Sequence, residues 1–480
     1  MVIALDIGSS SARATLYDAR GRAVEGRFHQ VPYAATTTPD GGVEHDPATL
    51  LEAVAACLDV VVRAARHDDV RAVGVTSFWH GLAGFDAGHR AVTPIFMWAD
   101  SRSARDAGLL RDALDEDALH ARTGCHLHAS YWPAKLRWLA RERPADVQRV
   151  TRWGSVGEWL ELNLFGEAAT SLSMASGTGL LDQEALRWDA EAMAAAGVEV
   201  EQLFPVAVRS EGRRGLRTPW ATRWPALRSV PWYPAVGDGA ASNVGSDCID
   251  RGRIALNVGT SAALRVVTEA GTVPPRGLWR YRVDRRRPLL GGATSEGGNV
   301  YAWCREVLRL PDDAAVEREL AERAPDSHGL TVLPFLAGER APGWRGDRRG
   351  TVTGLSLDTT AIDVVHAALE AVCLRLVLVY ELLAPHAAPD HIIVASGGAI
   401  SRSSVWTQML ADALGRPLHT STEAEATSRG AALLALEALG VLPDVTAVRA
   451  PLGEVFRPDP AHHARYRAAL ERHRRLDERV

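Results

Sequence analysis

Lysine is almost missing from this chain: of its 54 basic residues only Lys135 is a lysine, and the rest are arginine. The shortage reads as compositional bias, yet it excludes one way of gripping a nucleotide. A Walker loop needs a Gly-Lys-Ser/Thr triplet, and none is present. Cysteine is also scarce. Cys57, Cys125, Cys248, Cys304 and Cys373 are scattered with no Cys-x-x-Cys pair. That excludes a disulfide framework and a thiolate zinc site, and it fits a reducing cytoplasm. No long hydrophobic run exists. The most apolar stretch, AALEAVCLRLVLVYELL, holds Glu370 and Arg375, so nothing reaches the roughly 18–20 apolar residues of a membrane helix. The start, MVIALDIGSS, has no basic leader, and Asp6 falls where a signal peptide would be greasy. No low-complexity linker is seen. A net charge of −5 argues against nucleic acid as the main partner.

What is present is an ordinary globular balance, 46% apolar and 24% charged over 480 residues, enough for two or three domains. Within it lies a repeat. Residues 3–14 read IALDIGSSSARA and residues 254–265 read IALNVGTSAALR, identical at six of twelve positions at an offset of 251. Asp6 faces Asn257 and Ser9 faces Thr260. In each copy an apolar run, a glycine with hydroxyl residues and a second β-prone run predict a hairpin.

AVEGRFHQV predicts a third strand, and DPATLLEAVAACLDVVVRAAR a helix capped by Asp46 with Pro47 in its first turn. VRAVGVTS reads as a strand buried on both faces. The second half follows the same pattern. TAIDVVHAALEAVCLRLVLVYELL is a helix, HIIVASGG a strand, SSVWTQMLADALG a helix, LHTS a strand and TSRGAALLALEALG a helix. This alternation predicts α/β halves. Residues 206–234, rich in Arg, Pro and Trp, read as irregular or short-strand structure. The charged tail from about 450 reads as a surface helix.

The two hairpins and the late glycine-rich strand–turn–helix resemble the actin/Hsp70/sugar-kinase architecture, and in detail the FGGY carbohydrate kinases. DIGSSSAR and NVGTSAAL resemble that family's two phosphate loops, VGDGAASNVGS its catalytic-base segment, YWPAKLRWLARERP its middle motif, and SGGAISRS with EAEATSRGAALLA its adenosine region. SFWHG, TPIFMWADSRS, RTGCHLHASYWPAKL, SMASGTGLLD and FLAGERAPGW point to the gluconokinase-like branch. The resemblance implies two ribonuclease-H-like α/β domains around a central cleft. Residues 1–245 would bind sugar and carry the first phosphate loop, 246–445 would bind nucleotide, and 446–480 would be a surface tail.

The resemblance implies ATP and Mg²⁺ as cofactors and a small sugar or sugar acid as partner, with no nucleic acid and no membrane. A homodimer is compatible with it. Gly8 permits close backbone approach to phosphate, Ser9, Ser10 and Ser11 add hydroxyls, and Arg13 adds a permanent cation. Gly259, Thr260 and Ser261 would face the terminal phosphates from the other side. Asp6, a buried strand carboxylate, needs a partner that Mg²⁺ supplies. Asp238 reads on position alone as a helix N-cap; the resemblance makes it the base that takes the proton from the attacking hydroxyl, assisting at the metal, with Mg²⁺ and backbone dipoles keeping its pKa low. Trp79 and His80, after a buried strand, are expected on the sugar. Trp98 and Asp100 follow, although Asp100 serves equally as a cap for SRSARDAGLLRDAL. Arg102, Lys135 and Arg340 are the cations available to a substrate carboxylate. Gly397 and Gly398 leave room for the nucleoside, with Gly297 or Gly298 flanking it. Arg402 stands where glycerol-kinase-like members often carry Asn, so it is placed to stack on adenine.

The expected reaction is transfer of phosphate from ATP to gluconate, giving 6-phosphogluconate, in a cleft that closes over a sugar acid held mainly by the first domain. Xylulose or another ketose or polyol is the alternative substrate. An actin- or Hsp70-like ATPase and a sugar-sensing pseudokinase are the alternatives of another class.

Overall fold

Both copies of the repeat fold as hairpins and open matching sheets. The computed structural model describes residues 1–65, 70–209 and 211–480. In the first half, β1 (Val2–Ile7) pairs antiparallel with β2 (Ser11–Tyr17), which pairs with β3 (Ala23–Pro32). The helix α1 (Pro47–Ala64) follows, its first turn held by the Asp46 carboxylate accepting from the Thr49 amide. Its predicted last residue, Arg66, lies outside the described residues. The strand β4 (Ala72–Ser77) runs parallel to β1, and β5 (Trp232–Gly237) parallel to β4, so the sheet order is β5-β4-β1-β2-β3. β1 and β4 are buried along their whole length, as continuous apolar strands covered on both faces must be.

The helix α2 (Asp238–Gly245) leads into the second half. There β6 (Arg253–Val258) and β7 (Ala262–Val267) form the second hairpin, and β8 (Trp279–Arg282) and β9 (Pro288–Thr294) extend its antiparallel edge. After α3 (Gly298–Val307) and the long α4 (Ala361–Leu383), β10 (Ile392–Ser396) lies parallel to β6. Then come α5 (Ser404–Leu414), β11 (Leu418–Ser421), α6 (Ala426–Ala438), β12 (Leu452–Phe456) and α7 (Pro460–Arg479). The order is β8-β9-β7-β6-β10-β11-β12. Its central five strands repeat the first sheet's plan, so each half is a ribonuclease-H-like α/β unit.

Two regions differ from the sequence reading. The stretch 206–234 holds a short helix (Thr218–Arg223) and ends inside β5; Ser210 within it lies outside the described residues. The tail is more than a surface helix. β12 completes the second sheet, and α7 buries Tyr466, Leu470 and His473. Its Asp477 pairs with Arg348 and with Arg375 of α4, which explains one charge inside the apolar stretch. The other, Glu370, bonds His328 and His366 at 2.9 and 3.0 Å. That cluster has the ligand types of a metal site, but the Leu330 amide donates to His328 Nδ1, so Nε2 carries the proton and donates to Glu370.

The halves meet where α2 packs on α6. Gly245 abuts the Ala426 carbonyl and Gly430 the Ala241 carbonyl, so closely that a methyl at either glycine would overlap the facing backbone. Among the described residues no helix is long and apolar enough to cross a membrane.

Candidate active site

The two hairpin turns open onto one crevice. In the first, the Gly8 amide donates to the Ser11 carbonyl at 2.9 Å; in the second, the Gly259 amide donates to the Ser261 carbonyl at 2.9 Å. Identical closures leave Ser9, Ser10 and Thr260 exposed at the tips. Ser9 and Ser261 line the same cavity of about 170 Å³. Ser11 does not join them. Its residue is buried at the start of β2 and its hydroxyl accepts from Gln30 Nε2 at 2.9 Å, because the strand's alternation turns it into the sheet.

Asp6 and Arg13 sit opposite each other on β1 and β2. Arg13 Nη1 lies 3.3 Å from Asp6 Oδ2 and 3.6 Å from Glu425 Oε2, so the expected phosphate cation is here an ion-pair partner that spans both halves. Burial pushes the Asp6 carboxyl up to about 7, against the pull of Arg13 and with added repulsion from Asp238 and Glu425. A buried carboxylate held by one cation, facing a second carboxylate, suits a divalent ion.

Asp238 is the first residue of α2, with Gly237 as the cap residue, so the plain N-cap reading does not hold. Its carboxylate accepts from the Gly239 amide at 2.8 Å and opens into the cavity. Burial raises its pKa rather than leaving it low, and Arg265 is the strongest influence in the other direction.

Trp79 and His80 line the cavity. Trp79 is a wall more than a free face. Its Nε1 donates to the Ser173 carbonyl at 2.9 Å, its indole presses on Gly237, and Tyr281 packs on it with ring centroids 4.8 Å apart. His80 has a left-handed backbone (φ 66°), and its Nδ1 lies 2.6 Å from the Gly177 carbonyl. Burial holds the ring neutral, so Nδ1 donates there and Nε2 is left as an acceptor. Trp98 lines the cavity beneath Arg340, whose guanidinium carbon is 5.1 Å from the indole centroid.

Asp100 is not part of this lining. Its carboxylate accepts from the Val43 and Arg102 amides at 3.3 and 3.2 Å and pairs with the Arg102 guanidinium. It does not cap the following helix either, since Ser103 holds the cap position. Arg102 is consumed by the same loop through Asp100 and Glu44. Lys135 is buried and donates to the Ala129 and Ser130 carbonyls at 2.7 and 2.6 Å; burial pulls its pKa down to about 7.

The glycines expected at the nucleoside converge on the second hairpin. A Cβ at Gly297 would lie 2.7 Å from the Ser261 carbonyl carbon, and one at Gly397 (φ 104°) 2.5 Å from the Val258 oxygen. The Gly298 and Asn299 amides donate to the Gly259 and Thr260 carbonyls at 2.7 and 3.1 Å, which seats the start of α3 on the turn. Arg402 is exposed and folds back, its Nε donating to the Gly398 carbonyl at 2.9 Å.

Sequence reasoning missed what the second half adds to the cavity. Arg265, Trp279 and Tyr281 line the cavity with Asn257, and the second half supplies the larger share of its wall, not the first. One signal was legible: Arg265 is a lone cation in the otherwise apolar β7.

Paired hairpin turns, two buried carboxylates and a polar cavity between twin α/β halves are the features of the actin/Hsp70/sugar-kinase class. Residues 1–245 match the N-terminal domain, and residues 254–439 the C-terminal domain, of the FGGY family of carbohydrate kinases. The chain belongs to that family and is a carbohydrate kinase, which sets aside an ATPase that drives a protein partner. Kinases of this family use ATP as phosphate donor, generally with Mg²⁺. Among relatives, the gluconokinase of Bacillus subtilis is 27% identical over 471 residues, 96% of this chain and 91% of the relative. The glycerol kinase of Aromatoleum aromaticum is 31% identical over 501 residues, 100% of this chain and 98% of the relative. The gluconate kinase and the ligand-bound xylulose kinase from Lactobacillus acidophilus each superpose with a TM-score of 0.91 at 26% identity, covering 99% of this chain and 97% of theirs.

Proposed function

We propose that this carbohydrate kinase phosphorylates a sugar acid, gluconate first, to give 6-phosphogluconate. The observation that supports this best is the charge of the cavity. Arg265 and Arg340 line it beside the single carboxylate of Asp238, and no carboxylate of a described residue lies within 4.0 Å of either guanidinium. Two desolvated cations are costly unless an anion joins them, and a neutral ketose brings none. The gluconokinases among the relatives agree with this reading.

In the reaction Asp238 takes the proton of the attacking hydroxyl, a role for which it must be ionised and within hydrogen-bond reach. Arg265 keeps it so by opposing the effect of burial. His80 Nε2 accepts from a second sugar hydroxyl, and Trp79 and Trp98 shape the apolar edges. Ser9, Ser10 and Thr260, with the turn amides, bind the phosphates of ATP; the turns at Gly297 and Gly397–Gly398 frame its nucleoside. Mg²⁺, when bound, offsets the negative charge of the phosphates, and Asp6 and Asp238 are the carboxylates that would hold it. Residues 1–245 thus carry the base and the first phosphate loop, 246–445 the nucleotide turns and the larger share of the sugar cavity, and 446–480 the packed tail. The five free, buried cysteines suit a reducing cytoplasm.

An ADP-coupled assay of gluconate, xylulose, ribulose, glycerol and rhamnulose with Mg²⁺ tests the reading. Gluconate well ahead of the neutral sugars is expected. Turnover of xylulose alone would replace the substrate and leave the kinase, a second reading that the xylulose kinase neighbour favours. Sugar-independent ADP release would count against both.

A further inference from the structure

Three cations were legible as partners for a substrate carboxylate, and the structure disposes of two. Arg102 is paired with Asp100 and Glu44, lies over Trp138 at 4.5 Å, and is outside the cavity lining. Lys135 is spent on two backbone carbonyls. Arg265 faces the cavity on the side of the base, where its charge opposes the effect of burial on Asp238, although the two groups are more than 4.0 Å apart. A Cβ on Gly239, the residue after Asp238, would lie 3.0 Å from its Nε, and its Nη1 is 3.5 Å from Asn243 Oδ1.

Arg340 differs from all three. It is 8% exposed, lines the cavity, and its Nε is buried with no hydrogen-bond partner. The guanidinium is held by aromatic faces, Trp98 at 5.1 Å and Trp344 at 5.8 Å. Stacking of this kind fixes the plane of the fork without using its N–H groups. The loop that carries it is itself locked. Trp344 Nε1 donates to the Gly277 carbonyl at 2.9 Å, and its ring packs against His126 at 5.0 Å and Tyr131 at 5.8 Å. The neighbouring acids do not neutralise it. Glu339 is paired with Arg375, and burial pushes Glu296 up to about 8, so it is mostly uncharged at neutral pH.

We infer that Arg340 reads the substrate's carboxylate through its open fork and thereby sets selectivity for sugar acids over neutral polyols, an inference that rests on the sugar-acid reading above. The carboxylate end of the chain lies against Arg340 and Trp98, and the hydroxyl to be phosphorylated lies at the other end, against Asp238. Preorganisation is what makes this selective: a planar donor pair already desolvated and stacked loses little entropy when a carboxylate docks, whereas a CH₂OH group offers it one neutral acceptor and no charge.

The test compares gluconate with glucitol, which keeps the hydroxyls and replaces the carboxylate by an alcohol. Kinetics are measured for the wild type, Arg340→Gln and Arg340→Lys, with the melting temperature of each recorded. Hydrogen bonds to charged groups predict that Arg340→Gln raises the KM for gluconate about 10- to 100-fold and lowers the gluconate-to-glucitol ratio of kcat/KM by a similar factor. Arg340→Lys keeps the charge and loses the fork, so its ratio falls in between; it also serves if the glutamine variant does not fold. Equal losses for gluconate and glucitol, or an unchanged ratio, would overturn the assignment while leaving the sugar-acid reading intact. A wild type that turns over no sugar acid would remove that reading and the assignment with it.

Discussion

Gly430 of α6 meets the Ala241 carbonyl of α2 with no room for a side chain. The contact joins the two halves at the base of the cleft, and Gly245 repeats it from the other helix. Gly430→Ala has to separate the helices or distort one of them. Overpacking of this kind costs about 1–3 kcal/mol or more. A lower urea midpoint is expected, together with loss of turnover beyond the loss of folded protein, because the relative placement of the two turns changes. A variant with wild-type stability and activity would mean the interface gives way freely.

Asp238→Asn keeps the shape of the base and removes its ability to take a proton. Turnover should fall by about 10²–10⁴-fold, while gluconate binding followed by calorimetry is retained. Unchanged kcat excludes Asp238 as the base.

Asp6 is buried and has one cation for a partner. Asp6→Asn should abolish the rise in melting temperature that Mg²⁺ with ADP gives the wild type, and should leave the response to gluconate alone. An undiminished Mg²⁺ response in the variant would place the metal elsewhere.

Glu370 supplies a pH dependence outside the cleft. Burial pushes its carboxyl up, but the hydrogen bonds and charges of His328 and His366 outweigh that and hold it at about 2. A lowered carboxylate stabilises the fold above its unfolded pKa, near 4.5, and the contribution disappears as pH falls towards 2. Glu370→Gln should therefore be less stable than the wild type at pH 7, with the deficit closing between pH 4.5 and 2; urea titrations across that range check it.

Gly397 holds φ at 104°, and a Cβ there would fall 2.5 Å from the Val258 oxygen. Gly397→Ala carries both strain and a clash, and the turn it distorts is the one assigned to the nucleoside. A higher KM for ATP is expected with a smaller effect on the KM for gluconate, read from crossed saturation curves. The reverse pattern would move the nucleoside away from this turn.

The sequence revealed the elements that depend on local pattern. Each hairpin is an apolar run broken by glycine and hydroxyl residues, and the repeat announced the twin architecture before any contact was known. Asp6 and Ser9 stood out at the end of the first such run, and Trp79 and His80 after a buried strand, whereas Asp238 was singled out only by the family resemblance. Side chains whose role depends on a distant partner were not readable. Ser11 looks like its neighbours Ser9 and Ser10 until strand alternation buries it under Gln30. Asp100 looks available until Arg102 and the Val43 amide claim it. Arg265 and Tyr281 gain their meaning only when a sheet more than 200 residues along the chain from Asp6 folds against Trp79.

The edge strand β8 and the residue before it, Leu278, are bonded into the first half at several places. The Leu278 carbonyl lies 2.7 Å from His120 Nε2, the Arg280 amide donates to Gly124 and the Arg282 amide to Ser176 Oγ. The cavity proposed for the sugar is therefore walled by both halves. A fragment ending near residue 245 would keep Asp238, Trp79 and His80 yet forfeit the roof and both guanidiniums. On the proposed reading, recognition of substrate is a property of the assembled pair, and any swing that parts the halves opens the cavity assigned to the sugar.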